Sequence, residues 1–353
     1  MEDTLQISIV RTQESRISEL DYNNIQFAKQ YSDHMLIADY NGGEWKNVRI
    51  APYGNISISP ANPAVHYGQS IFEGLKAYKH ADGKISVFRP KANLDRMNIS
   101  AKRMVMPQIP EEIFMDGLKE LLKLDQQWVP DIDGTSLYIR PFMFATDEFI
   151  GVRPSHNFSF MIITSPVGAY YSKPVKVKVE THYTRAVKGG TGFAKTAGNY
   201  AASLYPAMLA NNDGYDQLIW TDGQNHEFIE ESGTMNIMFV IDNTLVTAPI
   251  GDTILNGITR DSVLTLAKDM GMKVEVRPLS VSELMSVIKE GRLKEAFGAG
   301  TAATIAHIEV IANEGIDYKL DESGRVFSKK VLQTLTDIRL GKVEDKFGWN
   351  YYI

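Results

Sequence analysis

Segments with a strand period alternate with segments of helix period along the whole chain, and that alternation limits it to a mixed α/β fold. No internal repeat or low-complexity tract breaks the pattern, which excludes solenoids and propellers. At 353 residues the chain can hold two domains of about 150 residues each. In the first half, strands are expected at Met35–Tyr40 and Trp45–Ile50. Val65–Gly74 reads as a helical turn or a loop. The stretch LKAYKHADGKISVFR reads as a hairpin turning at Asp82-Gly83. Pro90 and Pro110 each suit the opening of a helix. After Pro110, residues Ile113, Phe114, Leu118, Leu121 and Leu122 share one face. Strands near Ser136–Met143 and Asn157–Thr164 close this half.

Ser165–Pro174 carries Gly, Pro and Ser between two strand-like runs, as a domain break does. The expected division is a small N-terminal α/β domain at 1–170, a linker at 171–182 and a large domain at 183–353. The second half opens with the alternating strand Val175–Glu180. A helix follows at Asn199–Leu209, then strands near Gln217–Trp220, Met235–Ile241 and Thr244–Thr247. Helices are expected at Asp261–Met270, Val281–Lys289 and Phe327–Leu340.

Composition removes several functions. The net charge is −6, which argues against broad nucleic-acid binding. With no cysteine there are no disulfides, thiolate metal sites or thiol nucleophiles, as suits a reducing cytosol. The seven histidines lack H-x-H or H-E-x-x-H spacing, so no metal is expected. No run reaches the roughly 18 apolar residues of a membrane span. The acidic start lacks a basic, then apolar, leader. A soluble, cytoplasmic protein is expected.

Two glycine-rich segments invite phosphate chemistry. In GGTGFAKTAGNY, Gly189, Lys195 and Thr196 match a P-loop, but Ala194 stands where its second glycine belongs. In FGAGTAA, Gly298, Gly300 and Ala303 match a dinucleotide fingerprint. That fingerprint needs a following helix, and TIAHIEVI reads as a strand. A phosphate-binding turn there stays open. No G-x-S-x-G elbow is present. What remains is Lys195 among small residues, Tyr200 five positions later, and the carboxylate pair of EESGTMNIMF. Spacing alone leaves Lys195 open to being an ordinary solvated lysine.

Eight ordered blocks resolve this. They are HYGQSIFEGLKAYK, FRPKANLDRM, LYIRP, SPVGAYY, GGTGFAKTAGNYAASL, EESGTMNIMF, ILNGITRDSVL and FGAGTAA. Together they span nearly the whole chain, and the sequence resembles the branched-chain amino acid aminotransferases. The resemblance implies fold type IV of the pyridoxal phosphate enzymes, D-amino acid aminotransferase-like: mixed α/β (α+β), two domains, cofactor at their interface. It implies pyridoxal 5′-phosphate as cofactor and ping-pong transfer from L-leucine, L-isoleucine or L-valine to 2-oxoglutarate, giving branched 2-oxo acids and L-glutamate. D-amino acid aminotransferases and aminodeoxychorismate lyases share the fold, but HYGQSIFEG and LYIRP argue against both.

The resemblance also assigns roles. Lys195 matches the lysine that binds the cofactor aldehyde and then moves the proton, so it must be partly neutral at working pH. Glu231 matches the carboxylate that pairs with the pyridine nitrogen. Tyr200 matches the hydrogen-bond partner of the phenolic oxygen. Arg96, the backbone of Ile258 and Thr259, and Thr301 match the phosphate ligands. Tyr31, Tyr67, Phe72, Tyr138, Arg140, Tyr170, Thr234 and Ala302 match the substrate pocket, with Arg140 helping to accept the distal carboxylate of glutamate. Tyr67, Ile150 and Val152 match residues that cross a subunit interface, which implies a homodimer with shared active sites. Some animal relatives carry a C-x-x-C pair where this chain has Ala303 and Ala306, so thiol control is excluded.

Overall fold

The computed structural model describes residues 5–22, 24–168, 170–171 and 173–353. The chain forms two compact units. The first takes the chain up to Tyr170, then Ala194–Ala197 and Asp337–Ile353; the second takes Tyr171–Phe193 and Gly198–Thr336.

The first unit contains β1 (Ser8–Ile9), β2 (His34–Asn41), β3 (Glu44–Pro52), α1 (Pro63–Tyr67), β4 (Ser70–Phe72), β5 (Leu75–Lys79), β6 (Ile85–Phe88), α2 (Pro90–Arg103), α3 (Glu111–Leu124), β7 (Ser136–Ala145) and β8 (Phe158–Val167). The strands run in the order β1-β3-β2-β8-β7-β5-β6, closed off by Asn350–Tyr352, and β4 pairs with β7. All pairs are antiparallel except β1 with β3. The expected β5–β6 hairpin is present, and Gly83 turns it with φ +84°. Pro90 takes the first position of α2, and Pro110 caps α3. Val65–Gly74 resolves into the end of α1 and the short β4.

Side-chain alternation gives this sheet two different faces. Leu36, Ala38, Leu137, Ile139, Phe160 and Ile162 point into the core, where Leu94, Met97, Phe114 and Leu118 of the helices meet them. Each fully buried leucine or phenylalanine contributes about 1.5–3 kcal/mol before chain entropy is counted. Gly117 allows α3 to lie directly on β2, because a Cβ there would meet the Leu36 methyls. The opposite face carries the intervening residues, including Tyr53, Phe142, Phe144 and Ile163.

The second unit contains β9 (Val175–Val179), α4 (Ala197–Asn212, entered from the first unit), β10 (Gln217–Thr221), β11 (Ile229–Ser232), β12 (Met235–Ile241), β13 (Thr244–Thr247), α5 (Ile258–Asp269), β14 (Lys273–Val276), α6 (Val281–Lys289), β15 (Leu293–Gly300), β16 (Thr304–Asn313), β17 (Ile316–Lys319) and most of α7 (Phe327–Arg339). The pairings β9-β10-β11-β12-β15-β16-β9 close a six-stranded ring. Closure leaves those strands without a bare edge. Val175, Val177, Ile219, Ile237, Phe239, Ile308 and Ile311 form its core with Leu284 and Val287 of α6. Ser280 caps α6 by accepting the Glu283 N–H at 3.0 Å.

The division expected at 171–182 needs correction. Val175–Val179 is an inner strand of the ring, not a linker, with its valines buried inward. The expected second domain also loses Asp337–Ile353, because Asn350–Tyr352 pairs with β6 of the first unit. TIAHIEVI is strand β16, as its β-branched residues imply.

Candidate functional site

Lys195 is built into the first unit by its backbone. Its N–H donates to Ser100 Oγ of α2 at 2.9 Å, and its carbonyl accepts the Phe72 N–H at 3.0 Å. Thr196 forms a bridge with Ile71 of β4. The side chain is half-buried, and its Nζ lies 4.9 Å from the centre of the Phe72 ring. These bonds fix its Cα, while the flexible four-carbon side chain can still move the amine.

Beside it, Glu73 is fully buried and grips Arg96 with two bonds. Arg96 Nε donates to Oε1 at 2.7 Å and Nη2 to Oε2 at 2.8 Å. Asn93 Nδ2 adds a third bond at 2.7 Å. Burial pushes the Glu73 carboxyl up. Arg96, then Lys195 and the Asn93 bond, outweigh that and hold it below the usual range. Arg96, expected as a phosphate ligand, is therefore already paired with a carboxylate.

The sheet face away from the core gathers further expected residues. Phe72 stands opposite Phe142, and Tyr138 opposite Lys76. Arg140 Nη2 donates to Tyr138 Oη at 2.9 Å, and its guanidinium lies 4.6 Å from the Phe72 ring centre. Phe27 touches both Tyr138 and Tyr170, at 5.2 and 4.9 Å between centres. Tyr31 stacks on Tyr53 at 4.9 Å and 9°. Tyr67, Ile150 and Val152 are exposed instead, by 44%, 64% and 90%.

In the second unit Glu231 is buried on β11. Its Oε1 accepts the Leu255 N–H at 2.8 Å and Asn236 Nδ2 at 3.3 Å. Its Oε2 lies 3.3 Å from Arg185 Nε, close enough for an ion pair but not aligned as a hydrogen bond. Arg185 in turn donates to the carbonyl of Thr253. Asn236 also donates to the Leu255 carbonyl at 2.9 Å, tying β12 to the loop before α5. That loop ends at Gly257, the N-cap of α5, where a Cβ would collide with Asn236 Oδ1. Ile258 and Thr259 are the first two residues of α5, so their amides have no acceptor within the helix. The helix N-terminus and buried backbone donors make this end suited to an anion.

Register places the remaining residues at the same end of the ring. Asn236 pairs with Glu231 on one side and Ala299 on the other. The β11–β12 turn with Thr234 and the β15–β16 turn with Thr301 and Ala302 thus lie next to each other. Thr234 is exposed, while Thr301 and Ala302 are half-buried. Tyr200 lies in the first turns of α4, half-buried. Glu230, beside Glu231, is buried with no partner for Oε2 among the described residues.

The family described as Amino-transferase class IV matches residues 70–311, from β4 to β16. The chain belongs to this family. Among curated members, a probable branched-chain-amino-acid aminotransferase of Staphylococcus epidermidis is 46% identical over 343 residues, 95% of each chain. Branched-chain-amino-acid aminotransferase 2 of Bacillus subtilis is 46% identical over 335 residues, 93% of this chain and 92% of its own. The crystal structure of a branched-chain aminotransferase from Thermoproteus uzoniensis with norvaline superposes with TM-score 0.75 at 26% identity, covering 90% of this chain and 99% of that one. A T.th. branched-chain amino acid aminotransferase, solved with pyridoxamine 5′-phosphate, gives TM-score 0.73 at 27% identity over 90% of this chain and 98% of that one. Its complex with N-(5′-phosphopyridoxyl)-L-glutamate gives 0.70 at 26%, over 89% and 98%. This class IV aminotransferase therefore has the mixed α/β fold of those enzymes.

The sequence reading missed three partners of the expected residues. Glu73 holds Arg96, Arg185 faces Glu231, and Lys76 stands beside Tyr138. Burial, and then the neighbouring Arg339, lowers the Lys76 ammonium to about 7. Glu73 and Lys76 both lie in IFEGLKAY, where charges inside an otherwise apolar strand run were the available signal.

Proposed function

We propose that this enzyme transfers the amino group of L-leucine, L-isoleucine or L-valine to 2-oxoglutarate, reversibly, with pyridoxal 5′-phosphate as cofactor. The observation that carries the reading is the buried Glu231, fixed by the Leu255 amide and faced by Arg185 beside the N-terminus of α5. The donor set fits the cofactor: a carboxylate for a protonated ring nitrogen, and helix amides with a threonine hydroxyl for a phosphate. When bound, pyridoxal phosphate supplies an aldehyde and a ring that takes up electron density from the substrate Cα.

The chain's own residues do the rest. Lys195 would hold the cofactor through its aldehyde, and its amine, once released, would carry the proton between the substrate Cα and the cofactor carbon that bore the aldehyde. Glu231 would face the pyridine nitrogen, with its Oε1 held in place by the Leu255 amide and Asn236 Nδ2. Tyr200 would hold the phenolic oxygen, and the Ile258 and Thr259 amides with the Thr301 hydroxyl would take the phosphate. Arg96, its fork fixed by Glu73, would offer the phosphate a positive charge. The substrate side chain lies against Tyr31, Phe72, Tyr138, Tyr170, Thr234 and Ala302. Arg140 rests on Phe72 when that chain is apolar and turns to a carboxylate when it is glutamate. Leaving the ring costs about 0.5–2 kcal/mol, and a bidentate carboxylate pair offsets this. Tyr67, Ile150 and Val152, exposed here, pack against a second copy in a homodimer. The enzyme works in the cytoplasm.

The test is the visible spectrum of the pyridoxal phosphate-loaded protein. Absorbance must change on adding L-leucine and return with 2-oxoglutarate, and must not respond to D-alanine. Lys195→Ala should abolish turnover while thermal unfolding stays cooperative. Full turnover by Lys195→Ala refutes the assignment.

A further inference from the structure

The N-terminal arm makes a run of bonds to the segment that carries Tyr31. Thr12 N donates to His34 Nε2 at 2.9 Å. Ser15 Oγ donates to Asp33 Oδ2 at 2.6 Å, and Arg16 N to Asp33 Oδ1 at 2.9 Å. Arg16 Nη2 then donates to the carbonyls of Ser32, at 2.8 Å, and Tyr31, at 3.3 Å. Residues 12, 15 and 16 thus address 34, 33, 32 and 31 in turn.

The receiving segment is rigid on its other sides. Ser32 N donates to the Thr164 carbonyl at 2.9 Å, and the two hydroxyls meet at 2.6 Å. Trp128 Nε1 donates to Asp33 Oδ2 at 2.9 Å. Because His34 Nε2 accepts from Thr12, its proton sits on Nδ1 and is given to Asp125 Oδ1 at 2.6 Å. Tyr31 lies between this frame and Gln30, whose carbonyl accepts from Ser165 Oγ at 2.5 Å. Among the described residues, two features address Tyr31 directly. One is the Arg16 bond to its carbonyl. The other is the Tyr53 ring stacked on its own, and the Arg16 guanidinium lies 5.3 Å from the centre of that ring.

We propose that Arg16 is a positioning residue for substrate side-chain binding, fixing Tyr31 through its carbonyl and through the Tyr53 ring. The inference rests on the reading above that Tyr31 faces the substrate side chain. It deepens that reading by making the arm part of the pocket's specificity. The Arg16 side chain is 40% exposed, so its removal admits water and opens no core cavity. Asp33 keeps its bonds from Ser15, Trp128 and the residue-16 backbone. The fold therefore survives the loss, and the placement of the Tyr31 ring does not.

The experiment uses the cofactor-loaded full chain and compares wild type, Arg16→Ala, Arg16→Lys, Tyr31→Ala and the double variant. Arg16→Ala should raise KM for L-leucine about five- to twenty-fold, with kcat within about twofold, the pattern of lost uniform binding. Arg16→Lys should recover part of the loss, since it restores the donor but not the flat fork. The double variant should have the KM of Tyr31→Ala alone, because both changes remove one wall. An Arg16→Ala enzyme with wild-type KM, or one that loses only melting temperature, overturns the inference. So does a double variant whose KM increase is the product of the single ones. A wild-type protein inactive on L-leucine, or a Tyr31→Ala enzyme with unchanged KM, sinks the underlying reading, and the inference with it.

Discussion

Replacing Glu73 with Gln isolates one buried charge. The change keeps the shape of the side chain but turns one acceptor of the Arg96 fork into a donor. Arg96 is itself buried, so its guanidinium then faces an N–H group without a compensating charge. Breaking a buried pair in this way costs about 3–5 kcal/mol. For a unit of this size each kcal/mol moves the melting temperature by about 2–4 °C, so a fall of roughly 6–20 °C is expected. Scanning calorimetry of the cofactor-free protein measures it, since a bound phosphate would give Arg96 a second counter-charge. Salt should leave the deficit almost unchanged, since the pair is out of solvent. The pH dependence follows from the direction of the shift. The folded carboxyl lies below its ordinary value, so its stabilisation is fully present above that ordinary value. It is lost as pH falls through the lower, folded value, and the gap between wild type and variant should close there. Glu73→Leu with Arg96→Met should recover most of the stability, because a buried pair is replaceable by apolar side chains. A Glu73→Gln protein melting within about 2 °C of wild type at pH 7 would refute the reasoning.

Three further outcomes are expected. Gly257→Ala forces a methyl against Asn236 Oδ1 and should cost about 1–3 kcal/mol while weakening retention of pyridoxal phosphate on dialysis; unchanged retention would remove α5 from the phosphate site. Burial, with Glu231 and Asp222 nearby, raises the Glu230 carboxyl despite the Thr253 bond and Arg185. The folded state then holds that proton to higher pH than the unfolded chain, and stability is lost as pH rises through the raised value. Glu230→Gln should therefore gain in melting temperature relative to wild type between pH 4 and pH 8, and a constant difference would contradict this. Val152→Asp places a charge on a side chain that is 90% exposed in the single chain. Sedimentation should show half the wild-type mass, and an intact dimer would take that loop out of the interface.

Local patterns carried most of the fold. The hairpin at Asp82-Gly83, the proline-opened helices and the alternating VKVKV run were legible because each depends on neighbours in sequence. The short strands Lys273–Val276 and Asn350–Tyr352 were not, since pairing partners far along the chain define them. VKVKV is legible only in part: its strand character is plain, yet only its two parallel neighbours reveal it as ring interior rather than linker. At the site, Lys195 and Glu231 stood out through motif context. Their partners Ser100, Leu255 and Arg185 did not, because a backbone N–H or a hydroxyl brought in by folding leaves no mark in composition.

The first unit is discontinuous in sequence, and that orders its birth on the ribosome. Its sheet is complete only when Asn350–Tyr352 has paired with Ile85–Phe88, although the unit's main span ends at Tyr170. At roughly 5–20 residues per second, on the order of 10–40 s separate the two events. Through that interval Ile85–Phe88, buried at every position in the finished enzyme, waits as an open sheet edge. Lys195 emerges while this edge is still bare. The Lys195 backbone can therefore bond to Phe72 and Ser100 well before the unit that holds it is sealed.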